Sequence, residues 1–404
     1  MSGNCKEEPL MADAPNNQDD QARALPSVEL SLDVEPCRVM LVDDSAVTRG
    51  LVSRILEADP QIDVVASVND GQMAINSFKR TPVDVIVLDV EMPVMDGLTA
   101  LPKLIEVDPA ACIIVLSTLT KQNATTTIRA LQMGATECML KPSSSRELNT
   151  AEDFKTELIR KTKTLCTTAR KKGVRPSDPT KRRPRPRLPH EIKPAITPPE
   201  KIETRGSNNL PVPDAIAIGS STGGPQALFE VLKHLKNGIR QPVFITQHMP
   251  GTFTNILASH IAKQCDVDCV EASDGDPVID GRIYVAPGGY HMTVVSREGQ
   301  QFIELNQEPP ENFCRPAVDP MMRSIVNVYG RRVLALILTG MGQDGLKGCQ
   351  AVVEAGGSVL AQDEETSVVW GMPGAVANAG ICNEIIPLNE IGPKLHNYAT
   401  RLKG

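Results

Sequence analysis

The chain has 404 residues, 41% hydrophobic and 23% charged, with a net charge of −7. That length accommodates two or three domains, the composition is that of a globular protein, and the acidic balance gives no global basis for nucleic-acid binding. No apolar run approaches the ~20 residues of a membrane span, and the N-terminus lacks the basic-then-apolar pattern of a secretory signal, so a cytoplasmic protein is expected.

Residues 1–35 are polar and acidic and are expected to be a disordered tail. From Cys37 the character changes. Short apolar runs at Arg38–Val42, Ile62–Ser67, Val83–Leu88, Cys112–Leu116 and Glu137–Leu140 predict buried strands. Helical patterns separate them at Val47–Glu57, Gly71–Lys79, Leu98–Glu106 and Asn123–Met133. Such alternation implies a parallel sheet covered on both faces. A last helix, Arg146 to about Ala169, closes a first domain spanning 36–169. Residues 170–213 are rich in Pro, Lys and Arg, as in Lys181-Arg182-Arg183-Pro184-Arg185-Pro186-Arg187, and predict an extended linker.

A second α/β pattern fills 214–404. Strands are predicted at Ala215–Gly219, Pro242–Gln247, Val267–Glu271, Arg282–Ala286, Val333–Thr339, Ser358–Gln362 and Glu384–Pro387. Helices are predicted at Pro225–Leu235, Thr252–Lys263, Val318–Tyr329 and Gly345–Ala355, and a hairpin at His291–Ser296 and Gln301–Asn306. Aromatics are only 3%, so both cores must be built from aliphatic residues. The ten cysteines form no C-x-x-C pair and read as reduced core thiols. His260, Cys265 and Cys269 fit no standard zinc spacing.

In the first domain, Asp43 and Asp44 follow the first strand and Asp89 ends the third. In a parallel sheet these ends converge on one rim. Three carboxylates together need a cation, and hard oxygen ligands suit Mg²⁺. Beside the metal a carboxylate can attack a phosphoryl group. Lys141, after the fifth strand, supplies a cation, and Ser117 or Thr118, after the fourth, a hydroxyl. With Val42-Asp43-Asp44-Ser45, Leu88-Asp89 through Asp96-Gly97, and Lys141-Pro142, the segment resembles the response-regulator receiver family. The resemblance implies a flavodoxin-like five-stranded fold, phosphorylation of Asp89 by a histidine kinase, and Mg²⁺ held with help from Asp43 and Asp44.

The second domain opens with Gly219-Ser220-Ser221-Thr222-Gly223 after a strand and before a helix. This fits G-x-S-x-G, which exposes a serine oxygen over a helix N-terminus. A phosphate cradle or a purely structural turn would use similar residues. His248 follows a strand directly and is the best placed base. Asp344 follows another through Gly340-Met341-Gly342-Gln343; it could orient His248 or merely cap the helix behind it. The order Ser, His, Asp differs from that of the α/β-hydrolase fold.

Four longer motifs are present: Ile218 to Gly224, Ile245-Thr246-Gln247-His248-Met249-Pro250, Tyr284-Val285-Ala286-Pro287-Gly288, and Ile337 to Gly345. On these the chain closely resembles the chemotaxis protein-glutamate methylesterase (CheB) family. The resemblance implies a doubly wound α/β domain with a mostly parallel sheet and a hairpin, Ser221 as nucleophile, His248 as base, Asp344 as its orienter, the Met341 backbone N–H at the oxyanion, and no catalytic cofactor. It implies methylated chemoreceptors as substrates, methanol or ammonia as product, and a receiver that covers the active-site rim until phosphorylated. Two departures are Ser220, where Ala is usual, and Cys314, where His is expected; neither is expected to touch the triad. A DNA-binding regulator would need a helix-turn-helix after the linker instead of a strand-rich domain. A non-catalytic receptor adaptor is the remaining alternative.

Overall fold

The computed structural model describes residues 35–118, 120–141, 148–172, 202–206, 210–236 and 238–400. The expected N-terminal tail, apart from Glu35, and most of the expected linker lie outside them, as does Pro142.

The first sheet holds β1 (Cys37–Val42), β2 (Ile62–Val68), β3 (Val85–Asp89), β4 (Cys112–Ser117) and β5 (Glu137–Leu140) in the order β2-β1-β3-β4-β5. Every pairing is parallel. The central β3 and β4 are buried throughout, as β-branched and aliphatic runs must be when helices cover both faces. Helices α1 (Ala46–Glu57), α2 (Gly71–Phe78), α3 (Gly97–Val107), α4 (Lys121–Gln132) and α5 (Leu148–Lys172) connect and close this layer. Ser45, Asp70, Asp96 and Thr120 each accept a backbone N–H as the N-cap of the helix that follows.

The second sheet has seven strands: β6 (Ala215–Ser220), β7 (Val243–Gln247), β8 (Cys269–Glu271), β9 (Ile283–Val285), β12 (Val333–Ile337), β13 (Ser358–Gln362) and β14 (Glu384–Ile386). Their order is β14-β13-β12-β6-β7-β9-β8, and all pairings are parallel. The hairpin β10 (His291–Arg297) and β11 (Gln300–Asn306) stands apart, antiparallel. Its two turn residues, Glu298 and Gly299, both have positive φ, as a type I′ turn requires. Around the sheet lie α6 (Gly224–Leu232), α7 (Gly251–Cys265), α8 (Val318–Tyr329), α9 (Leu346–Glu354), α10 (Met372–Asn378) and α11 (Leu388–Thr400).

Two expectations need correction. Helix α5 runs to Lys172 rather than stopping at Ala169, because its buried face continues through Cys166 and Ala169 and Arg170 pairs with Asp84. Residues 202–206, expected within the linker, dock on the second domain: the Arg205 N–H donates to the Cys382 carbonyl, and Asn383 Nδ2 donates to that of Gly206. Helices α10 and α11 have no counterpart among the predicted elements.

The described residues from Pro36 onward belong to one compact unit. The receiver presents α4, β5 and α5 to the second domain. Gln226 Nε2 donates to the Leu131 and Ala135 carbonyls, Thr168 Oγ1 to that of Val368, and Gln132 Nε2 lies 3.3 Å from His260 Nδ1.

Candidate active site and phosphorylation site

Strands β6, β7 and β12 are neighbours, and the chain reverses its direction of travel across the sheet between β6 and β12. Such a switch point opens a crevice at the strands' carboxyl ends. Ser221, His248 and the loop carrying Asp344 all leave the sheet there. Backbone bonds extend the ladder past the strands: the Ser221 N–H donates to the Thr339 carbonyl at 3.1 Å and the His248 N–H to that of Ser220 at 3.0 Å. The turn after Ser221 closes through Gly223, whose φ of +76° suits glycine. A Cβ on Gly340 would lie 2.9 Å from Ser221 Cβ, so the 340–342 loop presses directly on the candidate nucleophile. The Met341 N–H makes no hydrogen bond among the described residues.

His248 Nε2 and Asp344 Oδ2 are 2.7 Å apart. Asp344 is buried and also accepts the N–H groups of Val318, Asp319 and Gly345. Burial alone would raise its pKa; the His248 ring and the Val318 and Asp319 N–H groups override it and lower it. Burial likewise opposes charge on His248, but the Asp344 and Cys314 contacts win and raise its pKa. The other ring nitrogen, Nδ1, faces Cys314 Sγ at 3.5 Å. Ser221 Oγ makes no hydrogen bond among the described residues, so the chain expected from serine to carboxylate is joined at its second link and open at its first. Catalytic contacts often close only with substrate bound.

Cys314 therefore does touch the triad, contrary to expectation. Ser220 also has a role: its hydroxyl donates to Gln247 Oε1 at 2.7 Å, while Gln247 Nε2 donates to the Ser221 and His248 carbonyls. The reading of Asp344 as a cap of the helix behind it holds in part: its Oδ1 accepts the Gly345 N–H, which Asp319 Oδ1 also accepts together with that of Gly348. Gln247 lies inside the motif around His248, but nothing in the sequence marks Asp319 or Asn312, whose Nδ2 donates to both Asp319 and Asp344, as a support of the site. Of the other histidines, His291 is buried and ties Pro309 to Ala317, a packing role.

On the receiver rim, ligand oxygens of Asp43, Asp44 and Asp89 lie within 4.8 Å of one another. Lys141 Nζ is 2.7 Å from both Asp43 and Asp89. Burial raises the Asp89 pKa, with Asp43 adding to it and Lys141 opposing. Burial opposes the charge on Lys141, but the two carboxylates raise its pKa. Three carboxylates against one ammonium leave surplus negative charge and oxygen donors only, which fits a hard divalent cation. Ser117 is buried and donates to the Thr118 carbonyl; Thr118 is exposed, and its hydroxyl accepts from Asn123.

The receiver reaches the other site. Glu137 Oε2 accepts the Thr222 hydroxyl at 2.5 Å, one residue past Ser221. Lys161 pairs with Glu137 at 3.3 Å and with Glu157 at 2.9 Å. Burial works against the Lys161 charge, but the two glutamates raise its pKa. Arg160 and Thr164 of α5 contact the Met341 side chain.

Comparison with known proteins agrees with this architecture. The CheB methylesterase family matches residues 216–395 and the response regulator receiver domain residues 39–152. A protein-glutamate methylesterase/protein-glutamine glutaminase of Azospirillum brasilense is 58% identical over 91% of this chain and 94% of its own. One from a group 2 operon of Rhodospirillum centenum is 56% identical over 91% and 95%. The crystal structure of the Thermotoga maritima CheB methylesterase catalytic domain, 38% identical, covers 46% of this chain and 98% of its own with a TM-score of 0.45. With 58% and 56% identity to the Azospirillum and Rhodospirillum proteins held over nearly their full length, the chain belongs to the protein-glutamate methylesterase family of receiver-linked CheB enzymes.

Proposed function

We propose that this chain is a phosphorylation-activated serine hydrolase that removes methyl esters from glutamates of methyl-accepting chemotaxis receptors and deamidates receptor glutamines. The 2.7 Å His248–Asp344 bond, at strand ends whose backbones bracket Ser221, carries this reading.

Ser221 Oγ attacks the side-chain carbonyl. Because Nε2 is committed to Asp344, the proton passes to Nδ1, the edge now facing Cys314. Asp344 stabilises the imidazolium. The Met341 N–H binds the oxyanion, a contact of about 3 kcal/mol in comparable sites. The imidazolium protonates the leaving methoxide oxygen or amide nitrogen, methanol or ammonia departs, and water then hydrolyses the acyl-enzyme to glutamate.

The receiver family works with a phosphodonor kinase and Mg²⁺. Asp43, Asp44 and Asp89 would hold the metal here, which when bound neutralises charge on the phosphoryl oxygens. Asp89 accepts the phosphoryl group, Lys141 pairs with it, and Ser117 or Thr118 turns a hydroxyl toward it. In the resting state the Glu137–Thr222 bond and α5 over Met341 restrain the catalytic rim, which supports activation by loosening. Among the described residues, no helix is long and apolar enough to cross a membrane.

Methanol release from methylated receptor membranes, with and without a phosphodonor, is the test. Ser221→Ala should abolish release and leave receiver phosphorylation intact. Asp89→Asn should abolish stimulation and leave basal release. Full release by Ser221→Ala would end the serine mechanism.

A further inference from the structure

The segment Glu311–Pro316 is held as a rigid prong beside the catalytic histidine. Asn312 and Phe313 have consecutive φ values of +52° and +64°, a left-handed conformation in which a bulky aromatic is an outlier. Strain of this kind persists only where the surroundings enforce it, and it clusters at functional sites. Here the surroundings do enforce it. Asn312 Nδ2 is fixed at 3.0 Å from each of Asp319 and Asp344. Glu311 takes a two-pronged ion pair from Arg323. Arg315 Nη1 donates to the Gln307 and Glu308 carbonyls, and the Gly289 N–H donates to the Arg315 carbonyl.

All this support leaves one side chain outside. Phe313 has a relative exposure of 102%, while its neighbour Cys314 sits 3.5 Å from His248 Nδ1. Tyr290, on the loop bonded to Arg315 through Gly289, is 40% exposed. In a chain with only 3% aromatic residues, the exposed aromatics among the described residues are these two. They stand on adjoining loops at the mouth of one site.

We propose that Phe313, assisted by Tyr290, is a specificity-determining residue that engages the protein substrate. It grips apolar side chains flanking the glutamate whose carboxyl derivative enters the site. A pre-ordered aromatic loses little freedom on contact and forms the kind of anchor that carries binding energy. The occupant follows from position: Phe313 adjoins Cys314, which touches the His248 ring, so a protein that delivers an ester to Ser221 comes close to it. Phe313 is exposed with the receiver docked, so engagement does not await phosphorylation. This deepens the proposed function and rests on Ser221 being the nucleophile.

The test uses the full chain and compares Phe313→Asn, Phe313→Leu and Tyr290→Ala. Asn tolerates the left-handed conformation, so the prong keeps its shape and loses only its apolar tip. For Phe313→Asn, KM for methylated receptor membranes should rise about tenfold with kcat changed less than about twofold. Phe313→Leu should recover most of the affinity, and Tyr290→Ala should add to the defect. Labelling of Ser221 by a small fluorophosphonate should proceed at the unaltered rate, since that probe never touches the prong. An unmoved KM in a variant that combines Phe313→Asn with Tyr290→Ala would overturn the proposal alone. So would a labelling rate that falls in step with turnover, which would make the loop merely structural. An unaltered chain that releases methanol but resists the fluorophosphonate would overturn the Ser221 reading, and this proposal with it.

Discussion

His248 has Asp344 on one ring nitrogen at 2.7 Å and the Cys314 thiol on the other at 3.5 Å. Both contacts favour the charged ring, and a charged ring accepts no proton from Ser221. Activity is therefore lost as pH falls through the His248 pKa and gained as pH rises through it. Removing the thiol takes away one of the two supports for the charge. Cys314→Ala should move the rising limb of the pH–kcat/KM profile to lower pH. A limb displaced by one pH unit corresponds to an about tenfold larger neutral-ring fraction on the acid side. The variant keeps Asp344 and should stay active at high pH. A limb left in place would show that Asp344 alone sets the base. Sequence could not supply this contact, because nothing in the spacing of Cys314 and His248 announces that a separate loop folds back onto the ring.

Strand ends are legible in the sequence in a way that loops are not. Buried apolar runs announce themselves, and the strands of both sheets form within a residue or two of expectation, so Asp43, Asp89, Ser221 and His248 stand on the predicted rims. Asp344 also stands in place, and it shares the Gly345 N–H at the start of α9 with Asp319, which accepts that of Gly348 as well. Helix α10 is hidden because its 7 residues are too few to show a period, and α11 because Pro393 lies inside it. The glycine loop after β12 gives an element-scale prediction. Its Gly340 has no room for a methyl group: a Cβ would sit 2.3 Å from Met372 Sδ, 2.9 Å from Ser221 Cβ and 3.0 Å from the Ser221 N. The Met372 side chain can yield, but the Ser221 backbone is pinned by Thr339. Gly340→Ala should cost ~1–3 kcal/mol of stability and, by displacing Ser221, the proposed nucleophile, slow fluorophosphonate labelling about 100-fold. Labelling unchanged at a lowered Tm would show that the loop and Ser221 move independently.

At the scale of the whole molecule, the two domains meet through apolar packing, which joins Leu131 and Ala135 to Ala227 and Ile261 in one core, and through an ionic cluster beside it. Glu137 and Lys161 are 8% and 9% exposed, and Glu137 holds the hydroxyl of Thr222 in the second domain. A buried ion pair adds little net stability, but removing one partner strands the other charge at a cost of about 3–5 kcal/mol. Lys161→Met creates that situation at the interface, and Glu137 regains solvent most directly if the receiver leaves Thr222. Basal methanol release without a phosphodonor should then rise, by about tenfold if ~1.4 kcal/mol of docking energy is lost. A phosphodonor should add little, and Asp89 should still be phosphorylated, which separates undocking from collapse of the receiver. Pairing Lys161→Met with Glu137→Leu removes the stranded charge and restores the receiver's packing, yet leaves Thr222 without its acceptor. If the hydroxyl contact is the restraint, the double variant stays active without a phosphodonor. If the double variant returns to basal release, the restraint lies in α5 over Met341 instead.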